Sequence, residues 1–421
     1  MNRNPEDRAR WRRIPRGRVN FRGDQALAVL RGLFRPDPTA VSAFESAFAA
    51  ALGVRHAIAT SSGKAALALV MRGLEAAPDD EVLLASYNVP EVPAVLKGLG
   101  LRVRFADIAP RTFNLDPESA ADAATRRTRF LLITHLYGHP ADLDRLRELA
   151  ERRGLSVIED CAQALGARWR GRAVGTCGRA GIFSLGLLKN LTTLRGGMVT
   201  TDDDALAARM RAMLGSSREA SRILIARELL VGLAVTAATS RRVFSWLGYP
   251  AIRALEALTP TLVWRLARRK PGSWEQRPLD VALSAIGSAE ANAGLLGLAR
   301  VEQATRVRRA YAERLLERLR GIAGLDVQEP LPHSEPAWTQ FVVRVRSRER
   351  VRRRLLREGV DTTMGYLRAC HRLPFAEPDQ PPCAHSDALE AQNLYLPIFE
   401  DLDPHDIERL AAAVRRAVQE G

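Results

Sequence analysis

Aromatic residues are scarce in this chain: 6% of its 421 residues are Phe, Trp or Tyr, within a hydrophobic share of 46%. A chain of that length and composition still buries a large core and is expected to divide into two or three domains. Cysteine is scarcer. Cys161, Cys177, Cys370 and Cys383 form neither a CxxC pair nor a metal-ligand spacing, which argues against a disulfide scaffold or a metal site and for reduced thiols in a cytoplasmic enzyme. No run reaches the roughly 20 uninterrupted apolar residues of a spanning helix. The opening MNRNPEDRARWRRIPRGRVNFRG has many arginines and no apolar segment, so it reads as neither signal peptide nor anchor. Residues 1–23 are expected to form a flexible basic arm. Internal repeats and low-complexity tracts are absent as well.

Acidic residues are also in short supply. The chain has 63 basic against 48 acidic residues, a formal net charge of +15, with arginine supplying nearly all of the excess. That balance suits anionic partners such as nucleotide diphosphates or acidic lipid surfaces, and a solvated arginine-rich surface is the plain alternative. Nucleic-acid binding is not expected, since neither a recognition helix nor a zinc spacing accompanies the charge.

What the chain does have is concentrated between Val157 and Val199: VIEDCAQALGARWRGRAVGTCGRAGIFSLGLLKNLTTLRGGMV. An apolar run ends in Glu159 and Asp160, Gln163 follows, and a second apolar run leads to Ser184 and then Lys189. A lysine among Leu187, Leu188, Asn190 and Leu191 suits Schiff-base chemistry, because a partly desolvated ammonium gives up its proton more easily and becomes a nucleophile. Lys189 is therefore the catalytic candidate. Asp160 closes an expected strand, at the edge where open α/β sheets bind ligands. A carboxylate there can pair with a protonated pyridine nitrogen, although a helix cap would also use it.

Earlier in the chain, a short strand from His56 to Thr60 is followed by Ser61, Ser62, Gly63 and Lys64 and then a helix. A turn of small residues opening a helix presents free backbone N–H groups and a favourable dipole to a phosphate, though SSGK alone could be a simple cap. Strands and helices alternate through this half, for example Phe130–Thr134, Leu143–Arg153 and Leu155–Asp160. The expected fold is therefore α/β, with a mostly parallel sheet covered by helices. From Leu283 a long helical pattern leads into a smaller α+β part, closed by a helix from Pro404 capped by Asp403. The expected division is an arm over 1–23, a large domain over 24–282, and a linking helix with a small domain over 283–421.

The order EDCAQALGA, FSLGLLKNLT and GGMV resembles the DegT/DnrJ/EryC1/StrS sugar aminotransferases, as do AFESAFAAALGVRHAIATSSGKAAL, FADIAPRTFNLD, THLYGHPAD and YLPIFEDLDPHDIERL. The resemblance implies fold type I, a homodimer and pyridoxal 5'-phosphate as cofactor. It implies that Lys189 holds the cofactor and that Asp160 and Gln163 contact its ring. Ser184, Ser62, Gly63 and Lys64 would contact its phosphate, with a structural hydroxyl as the other reading of Ser184. It also implies a two-stage amino transfer from a donor such as glutamate to a keto sugar activated by a nucleotide. Lysine at this place, where some relatives carry histidine, implies transfer rather than dehydration.

Four positions depart from the family pattern. Lys64 replaces threonine, and Val89 replaces an aromatic residue whose stacking role would pass to Tyr87, unless Tyr87 simply packs in the core. Arg195 replaces an active-site glutamate between glycines, and Asp280 replaces an asparagine directed at a partner subunit's phosphate. His371 falls in a substrate-facing loop by resemblance and is otherwise structural. Residues 216–281 form an apolar and basic helical insertion, which either covers the active site or dimer interface or lies on an anionic membrane at the inner face. Two further readings of the whole chain follow from these departures: an aminotransferase acting on a lipid-linked acceptor, and a fold retained as a regulator or scaffold without turnover.

Overall fold

The computed structural model describes residues 13–19, 21–215, 220–258 and 278–419. Its centre is a seven-stranded sheet of β1 (His56–Thr60), β2 (Glu81–Ala85), β3 (Arg102–Ala106), β4 (Thr128–Thr134), β5 (Ser156–Asp160), β6 (Ala180–Ser184) and β7 (Gly197–Thr201). The strand order is β1-β7-β6-β5-β4-β2-β3. Only β7 runs against its neighbours, pairing antiparallel with β1 and β6. The near-continuous apolar runs of β2 and β4 follow from burial on both faces, as parallel sheets require.

Helices cover the sheet on both sides: α1 (Gly23–Phe34), α2 (Ala40–Leu52), α3 (Gly63–Gly73), α4 (Glu91–Gly98), α5 (Pro117–Ala123), α6 (Leu143–Arg153) and α7 (Asp204–Leu214). Start signals are readable at several of them. Ser62, Asp116, Asp142 and Asp203 each accept a backbone N–H from the first turn of α3, α5, α6 and α7, which satisfies donors that a helix cannot satisfy itself.

Two helices of the insertion follow, α8 (Arg222–Ala238) and α9 (Arg241–Leu258). Neither alone is long and apolar enough to cross a membrane; the pair passes only together and is bent by 59°. Ile225 and Leu229 of α8 are buried against Val19, Phe21 and Leu194. Each such side chain contributes about 1.5–3 kcal/mol relative to exposure. The rest of the expected insertion, 216–219 and 259–277, lies outside the described residues.

The 32-residue α10 (Ser288–Leu319) then leads to a three-stranded antiparallel sheet of β8 (Leu325–Val327), β9 (Phe341–Val345) and β10 (Asn393–Leu396). With α11 (Arg348–Arg357), α12 (Ala384–Gln392) and α13 (Pro404–Gln419) completing this part, a second core forms around Leu315, Phe341, Leu355 and Leu410. Ile14 belongs to that core and is fully buried.

The amino-terminal segment departs from the expected flexible arm in its described part. The Ile14 N–H donates to the Gly359 carbonyl, and the Asp361 N–H donates to the Ile14 carbonyl, each at 2.9 Å. Val19 and Phe21 are buried as well. Residues 13–19 and 21–22 thus form a docked strap. Three apolar side chains and a paired backbone hold it, where arginine content alone suggested a solvated tail.

Candidate active site

The carboxyl ends of three parallel strands lie side by side. Thr134 ends β4 opposite Asp160 of β5, Asp160 pairs with Ile182 of β6, and Ser184 ends β6. The turn after β1 supplies Ser62, Gly63 and Lys64. All of these, with Gln163 and Lys189, line one cavity of about 930 Å³. An open sheet places its ligand at this edge because the strand ends project side chains and the helix starts project N–H groups into one crevice.

Adjacent residues of a strand face opposite sides, so Glu159 and Asp160 do different work. Glu159 turns away from the cavity and is fully buried. It accepts the backbone N–H groups of Gly175 at 2.8 Å, Cys177 at 2.6 Å and Gly178 at 2.9 Å, and lies 3.1 Å from His135 Nε2. Burial pushes its carboxyl up, but the His135 ring and these N–H groups outweigh burial and hold it below the ordinary value. His135 Nδ1 accepts the Ala141 N–H at 3.0 Å, so the ring proton sits on Nε2 and is donated to Glu159. Cys161 lies close to this pair, but the side-chain hydrogen bond joins only His135 and Glu159.

Glu159→Ala is expected to cost about 3–5 kcal/mol, because it strands three N–H groups and an imidazole in the core. Urea unfolding of the variant checks this. The wild-type contribution is present above the unfolded carboxyl's pKa and fades as pH falls through the lowered folded value.

Asp160 faces the cavity and is buried, and burial pushes its pKa up; the Ala162 N–H, at 3.0 Å, and the charge of Lys189 pull it only part of the way back. Among the described residues, an ionised carboxylate in that setting has no cationic hydrogen-bond donor. Gln163 Oε1 accepts the Tyr137 N–H at 3.0 Å, which leaves the amide NH2 as the end that can donate into the cavity. Lys189 is half-buried at a turn closed by its own N–H on the Gly186 carbonyl, 3.1 Å away. Gly63 approaches Ser184 so closely that an added Cβ would lie 3.0 Å from the serine Cβ, which fixes a narrow seat between the α3 start and the β6 end.

A group with a phosphate, a protonated ring nitrogen and an amine-reactive carbon fits these donors and acceptors. The N–H groups at the start of α3 with Ser62, Lys64 and Ser184 suit the phosphate. Asp160 suits the ring nitrogen, and Val89 and Ala162 offer apolar surface within the same lining.

Tyr87 is elsewhere. It is fully buried and does not line the cavity; its hydroxyl accepts from Tyr137 Oη at 2.9 Å and from Asn393 Nδ2 at 3.0 Å. Tyr87 thus takes its core-packing reading in place of the stacking one: it lies in a separate two-residue strand, Tyr87–Asn88, and Val89 reaches the cavity instead. Arg195 is outside the lining too, 3.8 Å from Glu290. Asp280 is exposed and is not among the lining residues. His371 packs its Nδ1 2.7 Å from the Ser86 hydroxyl, away from the cavity. Residues that the sequence reading missed also line it: Thr134, Arg16, Arg18, Val235, Thr239 and Tyr395. Thr134 was signalled by ending a strand beside Asp160, whereas the strap and insertion residues had no local signal.

A family model of DegT/DnrJ/EryC1/StrS aminotransferases matches residues 24–231 and 284–415. The chain belongs to the DegT/DnrJ/EryC1/StrS aminotransferase family. A Streptomyces venezuelae relative, dTDP-3-amino-3,4,6-trideoxy-alpha-D-glucose transaminase, is 32% identical over 378 residues, spanning 88% of this chain and 85% of that protein. GDP-perosamine synthase of Caulobacter vibrioides is 41% identical over 179 residues, 42% of this chain and 48% of that one. Among solved structures, S. venezuelae DesV in complex with a ketimine intermediate superposes with a TM-score of 0.74 at 29% identity, covering 96% of this chain and 98% of DesV. The sugar aminotransferase CalS13 of Micromonospora echinospora gives 0.75 at 25%, covering 96% and 99%.

The chain is an aminotransferase of the α/β fold shared by these enzymes. The family match leaves out residues 13–23 and 232–283, which hold the strap and much of the insertion. Both contribute to the cavity wall, through Arg16, Gly17, Arg18 and Val19 on one side of the sequence and Val235 and Thr239 on the other.

Proposed function

We propose that this aminotransferase uses pyridoxal 5'-phosphate to move an amino group from an amino acid donor, glutamate, to a nucleotide-activated keto sugar. The observation that carries the reading is the single cavity shared by Lys189, Asp160, Gln163, Ser184 and the Ser62–Lys64 turn. The relatives named for dTDP- and GDP-linked amino sugars support the acceptor class.

When bound, the cofactor supplies an electron-accepting ring and a carbon that takes up amines. Lys189 would hold it through its amine, and that amine would be the group placed to move a proton in the reaction. Asp160 keeps the ring nitrogen protonated by accepting its hydrogen bond in a dry setting. The Gln163 amide donates to the ring's phenolic oxygen. Ser184, Ser62, Lys64 and the Gly63 backbone would hold the phosphate and so limit where the cofactor sits in the cavity they share with Lys189.

The proposal includes a cytoplasmic homodimer. Apolar side chains left exposed near the pocket-side helices support a covering surface: Leu188 is 75% and Ile223 83% exposed. Peripheral membrane contact through 216–281 is a second reading, favoured by exposed Trp246 and Leu247 in α9.

The test is spectroscopic. Glutamate is expected to bleach the visible band of the cofactor-loaded enzyme, and a dTDP- or GDP-linked keto sugar to restore it. A band that glutamate leaves unchanged would bring the regulator or scaffold reading forward.

A further inference from the structure

The cavity carries more positive charge than a cofactor phosphate needs. Arg16, Arg18, Lys64, Lys189, Arg348 and Arg368 line it, facing the carboxylates of Glu91, Asp160 and Glu390. Lys64 and Lys189 belong to the cofactor seat. Arg368 lies 3.5 Å from Glu390, and Arg348 donates to the Glu390 carbonyl at 2.7 Å. Arg16 and Arg18 are different, because they come from the strap outside the family match.

Two carboxylates outside the lining hold these arginines in place. Arg16 Nε and one Nη donate to Asp361 at 2.7 and 3.1 Å. Arg18 Nε pairs with Asp401. Each guanidinium has five N–H donors in a rigid fork, so these pairs leave donors unused among the described residues. The side chains are 37% and 28% exposed. Between them Gly17 lines the cavity, and a Cβ built there meets nothing within 4 Å. The strap therefore presents two oriented guanidiniums with open backbone between them.

The insertion pins the strap. The Val19 N–H donates to Thr239 Oγ1 at 3.4 Å, and Arg13 donates to the Ser245 carbonyl at 2.9 Å while lying 3.9 Å above the Tyr249 ring. Val19 and Phe21 pack on Ile225 and Leu229. Thr239 and Val235 then continue the cavity wall.

We propose that the strap, held by α8 and α9, is the acceptor's phosphate clamp: Arg16 and Arg18 bind the diphosphate through which the keto sugar is carried. This rests on the aminotransferase reading of the same cavity. Preorganised, part-buried arginines bind phosphoryl oxygens bidentately and outperform lysines at such sites. The same chemistry would serve a nucleoside diphosphate or a polyprenyl diphosphate.

The test measures binding to the cofactor-loaded full chain by calorimetry, with dTDP, GDP and inorganic pyrophosphate as probes. Undecaprenyl diphosphate in neutral vesicles, read by flotation, is the lipid arm. Arg16→Ala and Arg18→Ala are each expected to weaken the diphosphate probes about 10- to 100-fold. Arg16→Lys should recover part of the loss, and Arg111→Ala, at a remote exposed pair with Glu329, should change nothing. Gly232→Val, whose Cβ would meet Leu194 Cδ2 at 2.6 Å, should weaken binding with both arginines intact by displacing α8 from the strap. Tight binding of nucleoside diphosphates but not the lipid assigns a soluble source, and the reverse assigns a membrane source. Unchanged affinities in both alanine variants, or a wild type that binds none of the probes, overturns the clamp. So does a loss confined to glutamate affinity. The glutamate spectral response tests the cofactor reaction separately, so failure of one proposal does not imitate failure of the other.

Discussion

Lys189→Ala is expected to abolish turnover, lowering it by about 10,000-fold or more, since in the proposed reaction it removes both the covalent holder of the cofactor and the proton carrier. Lys189 is half-buried next to Leu187 and lines the same cavity as Asp160. Lys189→Arg separates charge from reactivity. Arginine keeps the cation but cannot lose its proton near neutral pH, so this variant should bind the cofactor phosphate and still fail to respond to glutamate. Stopped-flow spectra with glutamate and an unfolding curve on each variant check the result. If Lys189→Arg retained the glutamate response, the proton would be moved by another group, and the lysine would be a charge partner only.

The site was legible where its residues are close in the chain. Asp160, Gln163, Ser184 and Lys189 lie within thirty residues, on β5, β6 and their following turns. Each needs only a strand end and a short loop to reach the same crevice. Lysine is itself rare here: Lys64, Lys97, Lys189 and Lys270 are the only ones in the chain, which made an apolar-flanked lysine conspicuous. The sheet and its covering helices were legible too, because β2, β4 and β5 are apolar runs that end in turn residues.

What escaped depends on distant pairing. The strap joins Ile14 to Gly359 and Asp361, and nothing local in a basic segment announces a partner more than three hundred residues away. Tyr87 takes its core-packing reading for a local reason. A period of two puts it on the same side as Val89 only while the strand continues. Here Asn88 Oδ1 takes the Val89 N–H at 2.7 Å and Pro90 is the N-cap of α4, so the alternation breaks between them. Tyr87 then joins the buried phenols of Tyr137 and Tyr395. Arg195 looked like an active-site charge reversal, yet Glu290 of α10 lies beside it. A compensating charge from a sequence-distant helix removes the conflict.

Asp160→Asn should act in opposite directions on catalysis and on stability. Asparagine keeps the oxygen that accepts the Ala162 N–H but loses the charge that pairs with a ring nitrogen. Turnover is expected to fall by about 100- to 10,000-fold, the range for truncating one partner of a buried charge pair. The apoprotein should gain. Burial raises the Asp160 pKa above its unfolded value, so this group favours the folded state at pH below the unfolded value near 3.8 and opposes it increasingly as pH rises through the raised folded value. At pH 7 the buried carboxylate is ionised against that preference unless the cofactor supplies a cationic donor. Apo Asp160→Asn is therefore expected to be more stable than apo wild type by about 1–3 kcal/mol at pH 7. The difference should shrink toward zero as pH approaches 4, and adding cofactor should stabilise wild type more than the variant. Urea unfolding of both apoproteins across pH 4–8, with and without pyridoxal phosphate, checks each sign. Equal stability of the two apoproteins at pH 7 would mean that the protein already satisfies the Asp160 charge, with Lys189 in the cation's place.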